Sequence, residues 1–464
     1  MTTKNPELEV FNPFDDSHVG SVKINSANEI EEMLELGFRL HKDNPRGLSA
    51  HRRIQVLQRA SSIMRNKFDK LSMLIAAEGG KPLIDARIEV ERAIDGVLSC
   101  ASEISNIVGN EIPMGLTPAA EGKLAFTTRE PIGLVLAISA FNHPLNLIVH
   151  QVAPAVATGC PVIVKPADDT PLSCQRFISI LAEAGLPEGW AQIACCDVSL
   201  AQKMVTDKRV SFFSFIGSAK VGWYLRSLLP PGTRMALEHG GAAPVILDES
   251  ADIDMLVPKL AKGGFYHSGQ VCVSVQRVFL LGKQTAQIVS KLGEYANNLI
   301  VGNAIHEKTE CGPLIRDREV DRVESWVTEA QKGGAKVIAG GEKISNSCYA
   351  PTVLLNPPEE AKVSKNEIFG PVISLYESTS LGEAISRSNS LPFAFQASIF
   401  SNDYSNIMQF FNKVDASAVM VNDHTAFRVD WMPFAGRKQS GYGMGGIPFT
   451  MEDMTKIKMA VLSY

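Results

Sequence analysis

Apolar residues recur at three- and four-residue intervals through the first quarter of the chain, which predicts helix over most of 28–110. The run "NSANEIEEMLELGFRLHKD" offers Asn25 or Ser26 as its N-cap. In "SAHRRIQVLQRASSIMRNKFDKLSMLIAAEGG", Ile54, Leu57, Ile63 and Met64 hold helical spacing, and Gly79-Gly80 supplies the stop. A further helix is expected after Pro82, carrying Glu89, Arg92 and Ile94.

From Gly133 the pattern changes to short β-rich runs alternating with helical ones. "GLVLAIS", "CPVIVKPA", "AQIACC" and "VSFFSFIG" are strand-like, and "PLSCQRFISILAEAG" and "SLAQKMVTD" helical. A second alternating block starts near Ala243. "APVILDE", "SVQRVFLL", "GPVISLYES", "FQASIFS" and "ASAVMVN" predict strands. A segment starting near Asp252, "GKQTAQIVSKLGEYANNL", "REVDRVESWVTEAQKGG" and "DYSNIMQFFNKV" predict helices. Such alternation implies βαβ units and parallel sheet, hence two α/β domains in series. Residues 113–131 read as a hairpin or excursion. The closing "TKIKMAVLSY" reads as a strand that pairs with that excursion or with a neighbouring subunit.

Length and composition narrow the function. The 464 residues, 45% hydrophobic and 20% charged, are ordinary for a large globular chain. A net charge of -5 without a basic tract argues against a nucleic-acid partner. The N-terminal residues lack an apolar h-region, and the apolar region 132–164 is broken by Asn142, His143, Pro144, Asn146, His150 and Pro154. Neither a secretory signal nor a membrane span is expected, which leaves a cytoplasmic protein. No two of the eight cysteines have CxxC spacing, so no metal site is expected.

Five short stretches could carry chemistry, though each alone has an ordinary structural explanation. In "SFIGSAK", Gly217 and Ser218 join a strand to a helix, the geometry that offers backbone N–H groups to a phosphate. In "VKPADDT", Lys165 and Asp168 lie past a strand end, where α/β sheets bind ligands; a carboxylate there suits a ribose and repels an added phosphate. In "LEHGG", Glu238 closes an apolar strand, and burial would raise it toward general-base range. Cys272 in "SGQVCVSVQR" is a nucleophile if its thiolate is supported, and otherwise one more buried thiol. Asn142 in "SAFNHPLN" offers an amide donor to a developing oxyanion.

Together, "SAFNHPLN", "KPADDTPLS", "FIGSAKVG", "LEHGGAAPVI", "GQVCVSVQR", "EIFGPV" and "MPFAGRKQSG" resemble, in order, the motifs of the aldehyde dehydrogenase superfamily. The 34-position step from Glu238 to Cys272 matches that family's spacing. The resemblance covers nearly the whole chain. It implies an α/β fold with a Rossmann-like NAD-binding domain (1–112 and 132–237), a catalytic domain (238–440) and a small β extension for oligomerisation (113–131 and 441–464). It implies a homodimer or homotetramer. It makes Cys272 the nucleophile, Asn142 with the Cys272 N–H the oxyanion donors, and Glu238 the base that hydrolyses a thioester. For NAD it implies Lys165 and Asp168 at the adenosine ribose, Gly217 and Ser218 at the pyrophosphate, and Glu367 and Phe369 at the nicotinamide end. Asp168 stands where NAD-preferring members usually have glutamate. His239 and Ala242 also depart from the family pattern, and nothing local explains either. Glu238 argues for the hydrolytic rather than the CoA-acylating branch.

"FNHPLN", "GQVCVSVQR" and "FRVDWMPFAGRKQSGYGMGGIPFTMEDM" resemble the branch acting on small polar or anionic aldehydes, including lactaldehyde and phosphonoacetaldehyde dehydrogenases. Arg92, His143 and Arg428 resemble the positions that hold the anion. Val271 stands where phosphonate-specific members have arginine, and one cation fewer suits a monoanion. The substrate expected from this is a small anionic aldehyde, sulfoacetaldehyde first, with phosphonoacetaldehyde and lactaldehyde as alternatives. A reading of a different class is a non-catalytic binding protein that kept the fold; Cys272, Glu238 and Asn142 speak against it.

Overall fold

A computed structural model describes residues 6–464. Residues 1–5, where the expected cofactor domain begins, lie outside the described residues. Ser26, not Asn25, caps the first helix (Ala27–Asp43) in a reciprocal capping box with Glu29. The Asn25 side chain instead accepts from the Cys195 N–H. The next helical stretch is two helices, Ala50–Asn66 and Phe68–Gly79, divided where Lys67 leaves helical geometry. The break lets both apolar faces pack on the long helix Leu83–Glu103. The second ends as expected, at Gly80 in the left-handed region (φ +63°).

The first sheet runs in the order Gly441–Tyr442, Arg234–Glu238, Val210–Ile216, Leu134–Ile138, Val162–Lys165, Ala191–Ile193. All its pairings are parallel except the first. The chain works outward in both directions from Leu134–Ile138. The loops after Ile138 and Ile216 therefore part at a topological switch point, where such sheets bind ligands. The helix Asn146–Thr158 is buried along its whole length between this sheet and the helix Leu83–Glu103.

The second sheet runs Lys336–Ala339, Thr352–Leu355, Val372–Glu377, Val275–Leu280, Ala243–Leu247, Gln396–Phe400, Ala418–Val421, and only its first pairing is antiparallel. In the third sheet, Thr455–Ser463 pairs antiparallel with Lys123–Pro131, which also holds Glu111–Ile112. The C-terminal strand thus lies on the excursion, one of the two pairings left open by sequence. Residues 441–453 do not join it. Gly441 pairs with Glu238, and the helix Ile447–Asp453 packs on the helices Leu83–Glu103 and Asn146–Thr158. The boundary expected at 441 moves to about 455, because Ile447 and Met451 are buried in the first domain's core. Among the described residues no helix is long and apolar enough to cross a membrane.

Candidate active site

Between the first and second sheets lies a cavity of about 1080 Å³. The first sheet contributes the loop Ser139–His143, the turn Gly217-Ser218 and the strand end Glu238–Gly240. The second contributes Gln270–Val273, Glu367, Phe369, Arg428 and Phe434. Most residues singled out by sequence therefore meet at one place.

Cys272 follows a run of three left-handed residues, His267, Ser268 and Gly269 (φ +47°, +56° and +70°). Gly269 is required there, since a Cβ would overlap the Gly370 carbonyl oxygen. This turn points the chain into the cavity before the strand Val275–Leu280 begins. Cys272 is the only one of the eight cysteines that is not fully buried. Burial pushes its thiol up to about 12, Arg428 pulls it down, and Glu367 and Glu238 push it further up. Across from it, Asn142 Nδ2 spends one amide hydrogen on the Gln270 carbonyl at 2.9 Å, which fixes the side chain beside the thiol's own loop.

Glu238 ends its strand at the cavity. Burial raises its pKa and the Arg428 charge opposes the rise. Gly445 leaves room for it, as a Cβ there would overlap Glu238 Oε1. Glu367 is held in the same way. Its Oε1 is buried without a hydrogen-bond partner, and a Cβ on Gly240 would overlap it. Burial raises the Glu367 carboxyl to about 8 against the Gly241 N–H that lowers it. Phe369 sits at φ +48°, a strained setting for an aromatic residue, with its ring edge-on to Phe141 at 5.8 Å.

At the turn, Gly217 spends its own N–H on the Glu238 carbonyl at 3.1 Å. Ser218 occupies the N-cap position of the helix Ala219–Arg226 without a side-chain cap bond, which leaves the donors of the first helical turn beside the cavity. His239 finds its account here. Its Nδ1 lies 2.9 Å from the Gly217 carbonyl oxygen, and its ring packs edge-on against Phe215 and Trp223. The ring occupies the space beside Gly222. Lys165 and Asp168 are not among the lining residues, although their neighbours Ala167 and Asp169 are. Lys165 Nζ donates to Asp168 Oδ1 at 2.7 Å, and Asp169 holds Arg316 through two 2.7 Å bonds.

The expected anion-binding trio needs correction. Arg92 is not an open cation: its Nη2 donates to Asp430 Oδ1 at 2.6 Å and its Nε to Oδ2 at 3.3 Å. Its alternative partner on the same helix, Glu89, instead pairs with Lys81 and accepts the N–H groups of Leu145 and Asn146. His143 is not a cation either. Burial, reinforced by Lys81 and Arg92, drives its pKa well below the usual value, and its Nε2 lies 3.0 Å from the Tyr266 hydroxyl. Arg428 lines the cavity in different surroundings. Its guanidinium lies 3.5 Å from the Phe434 ring centroid, and its Nη2 is 3.4 Å from His150 Nδ1. Its Nε is buried without a partner. Among the described residues it makes no ion pair, the strongest influence of opposite charge being Glu238.

Asp430 and His150 were not anticipated. Each had a local signal: Asp430 is the lone acid in "FRVDWMPF", and His150 is the lone titratable residue of the mostly apolar helix Asn146–Thr158. Polar residues in such company are paired when buried. His150 Nε2 lies 2.7 Å from Asp430 Oδ1.

The family model described as the aldehyde dehydrogenase family matches residues 1–460. A 3-sulfolactaldehyde dehydrogenase from Priestia aryabhattai is 33% identical over 98% of this chain and 95% of its own. Aldehyde dehydrogenase 21 from Physcomitrella patens, solved with its reaction product succinate, superposes with a TM-score of 0.96 at 32% identity, covering 100% of this chain and 96% of that one. A glyceraldehyde-3-phosphate dehydrogenase from Methanocaldococcus jannaschii, solved with NADP, gives a TM-score of 0.94 at 32% identity over 99% and 100% of the two chains.

Proposed function

The chain belongs to the aldehyde dehydrogenase family, and from that premise we propose that it oxidises a small aldehyde bearing one negative charge to its carboxylic acid. The leading substrate is sulfoacetaldehyde and the acceptor is NAD. The observation that carries the substrate reading is Arg428, a buried guanidinium in the cavity with no ion-pair partner among the described residues. A buried charge without a partner is costly, so the site favours a substrate that brings the counter-charge. His143, neutral and bonded to Tyr266, adds no second charge. The Priestia relative named for a sulfonated aldehyde and the succinate complex of the moss enzyme agree with a small substrate carrying an acidic tail.

The residues suit a cysteine mechanism. Cys272 adds as its thiolate to the carbonyl carbon, and the resulting oxyanion, held by Asn142 and the Cys272 N–H, re-forms the carbonyl as hydride leaves the carbon, giving a thioester on Cys272. A nicotinamide cofactor, when bound, accepts the hydride. Glu238 then takes a proton from water as the water's oxygen attacks the thioester carbon, and Cys272 leaves as thiolate. The cavity suits the cofactor through its own polar groups: the N–H donors in the first turn of Ala219–Arg226 for phosphate, and the orphaned Glu367 Oε1 to accept from a ribose hydroxyl. NAD is preferred because Asp168 repels an added ribose phosphate, even with Lys165 beside it. The test is NADH formation with sulfoacetaldehyde, phosphonoacetaldehyde, lactaldehyde and propanal. Arg428→Ala should lower kcat/KM for sulfoacetaldehyde by about ten- to a hundredfold relative to propanal, the size of a lost charge-assisted contact. Equal losses on both substrates would make Arg428 structural and remove the anionic-substrate reading.

A further inference from the structure

We infer that Asp430 is a specificity-determining residue that sets the site for monoanions over dianions. By holding Arg92, it leaves Arg428 as the uncompensated guanidinium on the substrate side. The inference rests on Arg428 being the partner of the substrate's anion.

Two guanidinium groups line this part of the cavity, Arg92 and Arg428. Asp430 lies next to both in a network of few bonds. Its two carboxylate oxygens take Arg92 Nη2 and Nε. The same Oδ1 lies 2.7 Å from His150 Nε2 and 3.4 Å from Asn146 Nδ2. Burial pushes the Asp430 carboxyl up, but the hydrogen bonds of His150 and Arg92 and the Arg92 charge prevail and hold it ionised. Burial and Arg428 lower the His150 pKa, so the ring is neutral. With its proton on Nε2 for Asp430, its Nδ1 is an acceptor, 3.4 Å from Arg428 Nη2. One carboxylate thus cancels Arg92 and, through the His150 ring, orients Arg428.

The backbone fixes this carboxylate in place. The Ile447 N–H donates to the Asp430 carbonyl at 2.9 Å, and the Asp430 side chain is only 6% exposed. A sulfonate meets one available guanidinium. A phosphonate dianion needs a second, and the other one lining this part of the cavity is already committed to Asp430.

The experiment measures kcat/KM for sulfoacetaldehyde, phosphonoacetaldehyde and propanal at pH 8.5, where the phosphonate is a dianion. The proteins are the wild type, Asp430→Asn, Asp430→Asn with Arg92→Met, and Arg428→Ala, each checked for folding by thermal melting. Asp430→Asn releases Arg92 and should raise the phosphonate-to-sulfonate ratio about tenfold or more. Adding Arg92→Met removes the released charge and should bring the ratio back to the wild-type value. A ratio unmoved by Asp430→Asn, or one that stays shifted in the double variant, overturns the inference. If the single variant does not fold, the double variant decides. It leaves neither charge unpaired, and a retained preference for sulfoacetaldehyde over propanal supports the inference. Loss of that preference makes Arg92 a direct substrate contact and overturns it. Arg428→Ala separates the two readings: if anion preference survives it, the substrate proposal itself fails. If Arg428→Ala removes the preference while Asp430→Asn leaves the ratio alone, only the role of Asp430 fails.

Discussion

His239 Nδ1 lies 2.9 Å from the carbonyl oxygen of Gly217, so the residue after the general-base candidate braces the neighbouring turn on the same side of the cavity. The ring fills the space beside Gly222, where a Cβ would overlap it. The sequence departure at 239 is therefore matched by a glycine in the facing helix. His239→Ala removes the brace and should raise KM for the nicotinamide cofactor about fivefold, the worth of one hydrogen bond of about 1 kcal/mol. KM for the aldehyde should hardly move. Steady-state kinetics varying each substrate in turn checks this; a rise in the aldehyde KM alone would contradict it.

Gly240 and Gly445 each stand against a carboxylate, Glu367 and Glu238 respectively. Alanine at either position forces the acid out of its place, but the consequences should differ. Gly240→Ala disturbs Glu367 and should weaken cofactor binding, read as a lower affinity in a fluorescence titration with NADH. Gly445→Ala disturbs Glu238 and should slow turnover with cofactor affinity kept. Identical defects in both variants would mean the two glycines serve the fold rather than the two acids.

The sequence discloses what local geometry writes into it. Gly80 ends a helix, Gly217 turns a strand into one, and Glu238 closes an apolar run beside two glycines. Asn142, Glu238 and Cys272 carry local signals of that kind, while Glu367 and Phe369 enter only through the family resemblance of "EIFGPV"; the alternation that builds both sheets is legible directly. The ion pairs are not. Arg92 and Asp430 are 338 positions apart, so the helix carrying Arg92 shows only a neighbouring Glu89 as partner. The charge of His143 is equally hidden, because it depends on burial beside Lys81 and Arg92 rather than on its own loop. The break at Lys67 is invisible to periodicity, since apolar spacing continues on both sides of it.

Glu238 and Cys272 approach the cavity from opposite sheets, which lets the two half-reactions be separated. Glu238→Gln keeps the shape and removes the base. It should give a rapid burst of about one NADH per active site followed by slow turnover, as thioester accumulates on Cys272. Intact-protein mass spectrometry would show the acyl adduct. Cys272→Ala should give neither burst nor turnover while still binding cofactor. Turnover by the alanine variant would refute the cysteine mechanism. Absence of a burst in Glu238→Gln would place the general base elsewhere.

The pH profile follows from one shared neighbour. The Arg428 charge lowers the pKa of both Glu238 and Cys272 against the burial that raises them. Both groups act deprotonated, so activity rises with pH through their raised values. Removing Arg428 removes a cation that favours each charged form, and both pKa values move up. The acidic limb of the profile in Arg428→Ala, measured with uncharged propanal so that substrate charge plays no part, should therefore shift to higher pH than in the wild type. Arg428→Lys keeps the cation and should restore much of the limb, although it loses the planar guanidinium stacked on Phe434. A shift to lower pH, or none, would show that Arg428 does not set the charge state of the two acids.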